Sequence, residues 1–410
     1  MSDPIFILGG VQTDFSRHMA REGLGFVDLL GEAVGGALAD ARVDDGDIGS
    51  VHVGNFAGER FCDQGHLGGL VVQARPGLEG LPSARHEAAC ASGSVAIQAA
   101  RAELLAGLVD VSLVVGAEIM RNVPGPQAAE HLAPAAWAPS ETEGVPFVWP
   151  QMFSDLAEVY EARYGLQREH LVALAKQAFA NAKRNPLAQT RRWALPDEKF
   201  STDDEHNPVV AGLVRRHDCS QITDGAAAVV LASRAGAERW CAAHDRALDT
   251  LPRILGVGHR TTRVSFKDKI QASEGAPHVF PQVRQTFVDA LTNAGLSSWR
   301  DIDLVETHDC FTSTFYMAID HLGLTPPGES WRAIEEGVVG PDGACPFNPS
   351  GGLIGLGHPV GATGVRMLLD AARQVGGAAG DTQVDGARRA ATMNIGGSTT
   401  TAVSFVVGVG

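Results

Sequence analysis

Residues 348–364 read Asn348-Pro-Ser-Gly-Gly-Leu-Ile-Gly-Leu-Gly-His358-Pro-Val-Gly-Ala-Thr-Gly364. Six glycines in this run of 17 residues strip the backbone of side chains and let it approach another group closely. His358 stands in the middle, followed by Pro359 and then by residues with helical spacing, so its imidazole is predicted at a turn that opens a helix. A histidine held there can act as general base toward a thiol. It can equally be a hydrogen-bonded structural residue, or the run can cradle a phosphate. Against the phosphate reading, the run has no Gly-Lys-Ser/Thr and no strand-linked G-x-G-x-x-G.

Three further stretches carry groups with chemistry. His86-Glu-Ala-Ala-Cys90-Ala-Ser-Gly-Ser94 places a cysteine before small residues that open a helix. Free N–H groups and the positive end of the helix dipole favour a thiolate there, and small neighbours admit an acyl group. The alternative is an inert buried thiol, the usual fate of a free cysteine. Thr307-His308-Asp309-Cys310-Phe311 follows a predicted strand at 303–306, where side chains of an α/β protein face a ligand crevice. Asp309 and His308 could instead cap a turn. Zinc ligation is a weaker reading, because the spacing is not that of a zinc site. Met393-Asn-Ile-Gly396-Gly-Ser398 lies between the last two predicted strands, either as a hairpin turn or as a source of N–H groups for an oxyanion.

Apolar runs at 5–8, 51–53, 111–115, 227–232, 304–306 and 402–407 predict buried strands, and stretches such as 95–108 and 365–375 predict helices between them. The alternation indicates an α/β protein. The chain also echoes itself. Residues 37–53 and 290–306 both pass from a helix through a polar turn and Asp-Ile into a strand, and Cys90 and His358 each precede a helix of small residues. Two similar halves are expected. Residues 1–118 with 219–250 form the first and 251–410 the second. The Pro-rich stretch 119–218, with one amphipathic helix at 155–183, reads as an insertion that covers a ligand.

The formal net charge of -15 argues against nucleic acid or an anionic membrane as the main partner. Six thinly spread cysteines without a C-x-x-C pair fit free thiols in a reducing compartment. The sequence MSDPIFILGG has no basic segment before its short apolar run, and no apolar stretch reaches membrane-spanning length, so a cytoplasmic protein is expected.

Cys90-Ala-Ser-Gly93, the 348–364 run, the Gly-Gly turn before the last strand and the Cys219-Ser-Gln-Ile-Thr-Asp-Gly-Ala return together resemble the thiolase superfamily over nearly the whole chain. Most thiolases carry Asn-Glu-Ala-Phe where this chain has His308-Asp-Cys310-Phe311, and a second catalytic cysteine where it has Asn394. The branch similar to the sterol-carrier-protein thiolases makes the same swap. The resemblance implies a five-layered αβαβα fold of two similar halves with a loop domain inserted in the first. It implies a CoA-dependent acyltransferase that cleaves 3-ketoacyl-CoA, or runs the reverse Claisen condensation, with Cys90 as nucleophile, His358 as its base and Cys310 as acid/base thiol. Backbone N–H groups of Cys90 and Gly396 would hold one oxyanion, and His308 with His358 would stabilise the enolate.

Coenzyme A is then a co-substrate, and no metal or redox cofactor is implied. The insertion would cover the pantetheine arm, with one of the basic pairs Lys183/Arg184, Arg191/Arg192 or Arg215/Arg216 meeting the nucleotide end. Family habit implies a homodimer or homotetramer. One departure bears on substrate preference. The branch has a Glu shortly after HDCF, whereas this chain reads Thr312-Ser-Thr-Phe315-Tyr316, an aromatic pair that could reshape an acyl pocket. Competing readings are a decarboxylating ketoacyl synthase, which needs no second thiol, a thiolase-like aldolase, whose relatives tend to lack the nucleophilic cysteine, and a non-catalytic acyl-CoA or lipid-binding protein. Cys310 speaks against the first, Cys90 against the second, and Cys90, His358 and Cys310 together against the third.

Overall fold

The computed structural model describes residues 3–410. Its strands are β1 (Ile5–Gln12), β2 (Ser50–Gly54), β3 (Ser83–His86), β4 (Val111–Glu118), β5 (Val209–Ala211), β6 (Val214–Arg215), β7 (Gly225–Ala232), β8 (Arg253–Thr261), β9 (Leu304–Thr307), β10 (Arg389–Gly396) and β11 (Thr401–Gly408). Nine of them run in the order β3-β2-β4-β7-β1-β8-β11-β10-β9, and β5 and β6 form a separate hairpin.

The expected repeat is visible in the pairing. In the first half β2 runs parallel to β4, and β4, β7 and β1 follow antiparallel. In the second half β9 runs parallel to β10, and β10, β11 and β8 follow antiparallel. β3 is an addition at the first half's edge. The halves join where Ile5 and Phe6 of β1 meet Ile254 and Arg253 of β8.

Side chains alternate along β7 between two buried faces. Ala226, Ala228 and Val230 pack on outer helices such as Phe26–Ala41, whereas Ala227, Val229 and Leu231 pack inward. β11 does the same, with Ala402 and Val406 toward the outer helix Pro281–Asn293 and Val403, Phe405 and Val407 inward. Burial on both faces explains the unbroken apolar runs of these strands. The inward faces of both half-sheets close on the same two helices, Ser92–Leu105 and Val360–Val375. The result is five layers in two similar halves.

These two central helices approach through glycine. A Cβ on Gly93 would lie 2.7 Å from the Gly361 carbonyl oxygen, and one on Gly361 would lie 2.7 Å from the Gly54 carbonyl oxygen. A Cβ on Gly54 would lie 2.6 Å from Gly93 Cα. No side chain fits between them.

Between β4 and β7 the single amphipathic helix expected at 155–183 is two, Val148–Tyr164 and Arg168–Arg184. Gly165, at φ 79°, caps the first in the left-handed conformation and breaks the period. No helix among the described residues is long and apolar enough to cross a membrane.

Gly361→Ala is expected to cost about 1–3 kcal/mol through overpacking at the crossing. Gly35→Ala, in the outer helix with nothing within 4 Å of its Cβ position, is expected to add about 0.5–1 kcal/mol instead. Urea denaturation of the two variants checks the contrast.

Candidate active site

The Ser92–Leu105 helix starts two residues after Cys90, and the Val360–Val375 helix starts two residues after His358. Their crossing therefore delivers thiol and imidazole to one place. The β9 end delivers His308 and Cys310 to the same place. Cys90 Sγ and one ring nitrogen from each of His308 and His358 lie within 4.8 Å of one another, and the two rings meet edge-on with centroids 5.0 Å apart. All four residues line one cavity of about 380 Å³.

Local structure holds each group. Ala89, next to Cys90, has φ 50°, a strained value for a residue with a Cβ. Ser92 Oγ clamps that turn, accepting from Ala88 N (2.9 Å) and donating to the Ala89 carbonyl (2.6 Å). Asn348 Oδ1 accepts from Thr307 N (2.6 Å), and Asp309 Oδ1 accepts from Leu353 N (2.6 Å). These bonds dock the glycine-rich run beneath the end of β9. Asp309 thus serves the turn rather than the cavity, and burial pushes its carboxyl up to about 8.

His358 Nδ1 lies 2.8 Å from Thr363 Oγ1. The Thr363 hydroxyl also reaches the Pro359 carbonyl (3.2 Å), which can only accept; with the hydroxyl proton directed there, Oγ1 accepts the N–H from Nδ1. That leaves Nε2 of His358 with a lone pair, as a base requires. Burial and then the Arg366 guanidinium push the His358 imidazole down to about 3, and burial pushes His308 well below the usual histidine range. Both rings rest neutral.

The helix start was expected to favour the Cys90 thiolate. Enclosure outweighs it. Desolvation pushes the thiol up to about 12, although the backbone N–H groups of Gly397 and of Cys90 itself act the other way. Burial, followed by the nearby Cys90, also drives the Cys310 thiol upward. The resting site therefore holds two thiols and two neutral imidazoles.

The structure places the remaining residues as follows. The N–H of Gly397, which lines the cavity, acts on the Cys90 sulfur. Gly396 is the last residue of β10, where a Cβ would lie 2.1 Å from the Ala88 carbonyl oxygen. Of the six basic residues, Arg216 lines the cavity. Lys183, Arg184 and Arg192 are exposed outside its lining. Arg191 forms a two-pronged pair with Asp14 (2.9 and 2.8 Å), and Arg215 pairs with Asp204 (2.7 Å). Phe315 and Tyr316 do not reshape the cavity, because they turn into the core, where they contact Phe347 and Tyr160. Phe311 is the aromatic of that stretch that reaches the cavity. Cys219, read from the sequence only as part of a turn, is a third thiol in the cavity wall. The stretch between β4 and β7 supplies an apolar wall that includes Leu132, Phe147, Trp149 and Phe153.

Comparison with known proteins gives the same picture. The family described as "Thiolase, N-terminal domain" matches residues 5–235, and "Thiolase C-terminal domain-like" matches residues 266–409. An acetyl-CoA acetyltransferase of Methanothermobacter thermautotrophicus is 34% identical over 410 residues, covering 98% of each chain. Human sterol carrier protein 2 is 28% identical, over 96% of this chain and 70% of its own length. Among solved structures, the Ltp2-ChsH2(DUF35) aldolase superposes with a TM-score of 0.76 at 21% identity, covering 99% of this chain and 98% of that one. Human mitochondrial 3-ketoacyl-CoA thiolase, in complex with CoA, gives 0.71 at 18% identity, covering 100% and 98%. Two family domains spanning nearly all of the chain, on the five-layered fold described above, make this protein a member of the thiolase family.

Proposed function

We propose that the protein is a CoA-dependent thiolase that cleaves 3-ketoacyl-CoA to acetyl-CoA and a shortened acyl-CoA, or condenses them in reverse, through an acyl group on Cys90. The observation that carries this reading is that the Cys90 and Cys310 thiols and two neutral imidazoles share one cavity. A hydrolase or a simple acyl carrier has no use for the second thiol. Carbon–carbon cleavage does, because the departing carbanion must be protonated.

In the degradative direction His358 Nε2 takes the Cys90 proton, and the sulfur attacks C3 of the ketoacyl-CoA. The N–H groups of Cys90 and Gly397 receive the oxyanion. When the C2–C3 bond breaks, its electrons move to C2 and the thioester oxygen, which His308 and the now protonated His358 stabilise. Cys310 gives its proton to C2, and acetyl-CoA leaves. A second CoA loses its thiol proton to the Cys310 thiolate and takes the acyl group from Cys90, whose thiolate recovers its proton from His358. Neither a metal nor a redox step enters this sequence. Because it lines the cavity, Arg216 is the basic residue we assign to a CoA phosphate.

Loss of acetoacetyl-CoA absorbance in the presence of free CoA tests the reading. Cys90→Ser is expected to lower turnover by at least about 10³-fold, and Cys310→Ala by about 10²–10⁴-fold while leaving Cys90 open to alkylation. Turnover in Cys90→Ser equal to wild type contradicts the mechanism. Arg216→Ala is expected to raise the KM for CoA about five- to twentyfold, with Arg191→Ala as a control that leaves it unchanged. With the Cys90 thiol pushed up to about 12, its thiolate fraction grows as pH rises. Iodoacetamide labelling of the Cys90 peptide, followed by mass spectrometry, should still be accelerating above pH ~9. A plateau by neutral pH would mean a preformed thiolate–imidazolium pair.

A further inference from the structure

Asn394 occupies the place where the sequence showed only a missing cysteine, and its side chain touches both catalytic halves of the site. Its Nδ2 donates to the Cys90 carbonyl (3.2 Å) and lies 3.0 Å from His308 Nδ1. Its Oδ1 accepts from Ser94 Oγ (2.8 Å). The Cys90 carbonyl can only accept, which fixes which end of the amide faces it. The same NH₂ group then faces His308, so Nδ1 of His308 must accept and its proton must sit on Nε2. The amide is fully buried, and a Cβ on Gly364 would come within 2.7 Å of Oδ1, so the side chain has no room to swing.

We infer that Asn394 is a positioning residue that sets the tautomer of His308, making His308 Nε2 a hydrogen-bond donor to the enolate oxygen. The inference rests on the thiolase reading for its role in catalysis. Thr363 does the opposite for His358. Two adjacent histidines with similar surroundings thereby receive different tasks, one lone pair for the Cys90 proton and one N–H for developing charge. The assignment has a second consequence. Cys90, His308 and His358 converge like three metal ligands, but ligation needs a lone pair on each ring nitrogen. With its Nε2 protonated, His308 cannot ligate unless Asn394 gives way.

Asn394→Asp keeps the size of the side chain but replaces the donor with an acceptor. It reverses the His308 tautomer, moving the proton to Nδ1. Two rates separate this from a structural defect. Exchange of labelled CoA into acetyl-CoA uses Cys90, His358 and the backbone N–H groups, whereas acetoacetyl-CoA cleavage also uses the His308 donor. In Asn394→Asp the ratio of cleavage to exchange is expected to fall about 10²-fold, the effect of losing one preorganised donor. Asn394→Ala, which frees the ring to adopt either tautomer, is expected to lower the ratio less. An unchanged ratio, whether both rates fall together or neither falls, overturns the inference. Zn²⁺ gives a readout that needs no turnover. The concentration that half-protects Cys90 from iodoacetamide should be at least about tenfold lower in Asn394→Asp than in wild type, because the third ligand becomes available. Equal protection overturns the tautomer assignment. A wild-type protein that catalyses neither reaction defeats the thiolase reading alone, and the Zn²⁺ comparison still decides the tautomer.

Discussion

Everything at the site depends on how closely the two central helices approach. Gly54, Gly93 and Gly361 meet with spacings that exclude a Cβ at each position, so backbone rests on backbone where the halves face each other. Because each helix begins just after a reactive residue, bringing their first turns together also brings Cys90 to His358. The wider packing serves this contact. Both half-sheets present Val, Ile and Leu inward to the same helix pair, and their outer helices seal the other faces. A packed interior resists small displacements, so the position of Cys90 relative to His358 is set by the core of the whole molecule.

Burial then determines the chemistry. Removing the site from water makes every charged form expensive, so the thiols stay protonated and the imidazoles neutral until substrate arrives. In the proposed mechanism charge is created only during reaction, where N–H groups and imidazoles are already in place to meet it. Neutral rings alone do not say which is base and which is donor. In the assignment proposed above, Thr363 and Asn394 make that distinction through single hydrogen bonds on the far side of each ring.

The two-half organisation was legible in the sequence because a repeated fold repeats its local signals. The helix-turn-strand echo at 37–53 and 290–306 maps onto the helices Phe26–Ala41 and Pro281–Asn293 and the strands β2 and β9 that follow them. Cys90, His358, His308 and Cys310 were legible as chemical residue types at element ends, and the structure places them together. What escaped was set by three-dimensional registry. That Gly397 turns its N–H to the Cys90 sulfur depends on where β10 ends, and no composition signal marks that residue. The basic pairs looked alike in sequence, yet Asp14 and Asp204, distant or unremarkable along the chain, engage Arg191 and Arg215. Asn394 registered only as an absent cysteine, since its value lies in a contact with His308, 86 residues away.

The central claim is that the acyl group passes through Cys90. The most direct measurement is to mix the protein with acetyl-CoA without free CoA, quench in acid, and locate any acyl adduct by peptide mass spectrometry. The account predicts a single acetyl thioester on the peptide containing Cys90, removed when CoA is added before the quench. An adduct on another residue, or an unmodified Cys90 in protein that turns over, would contradict it.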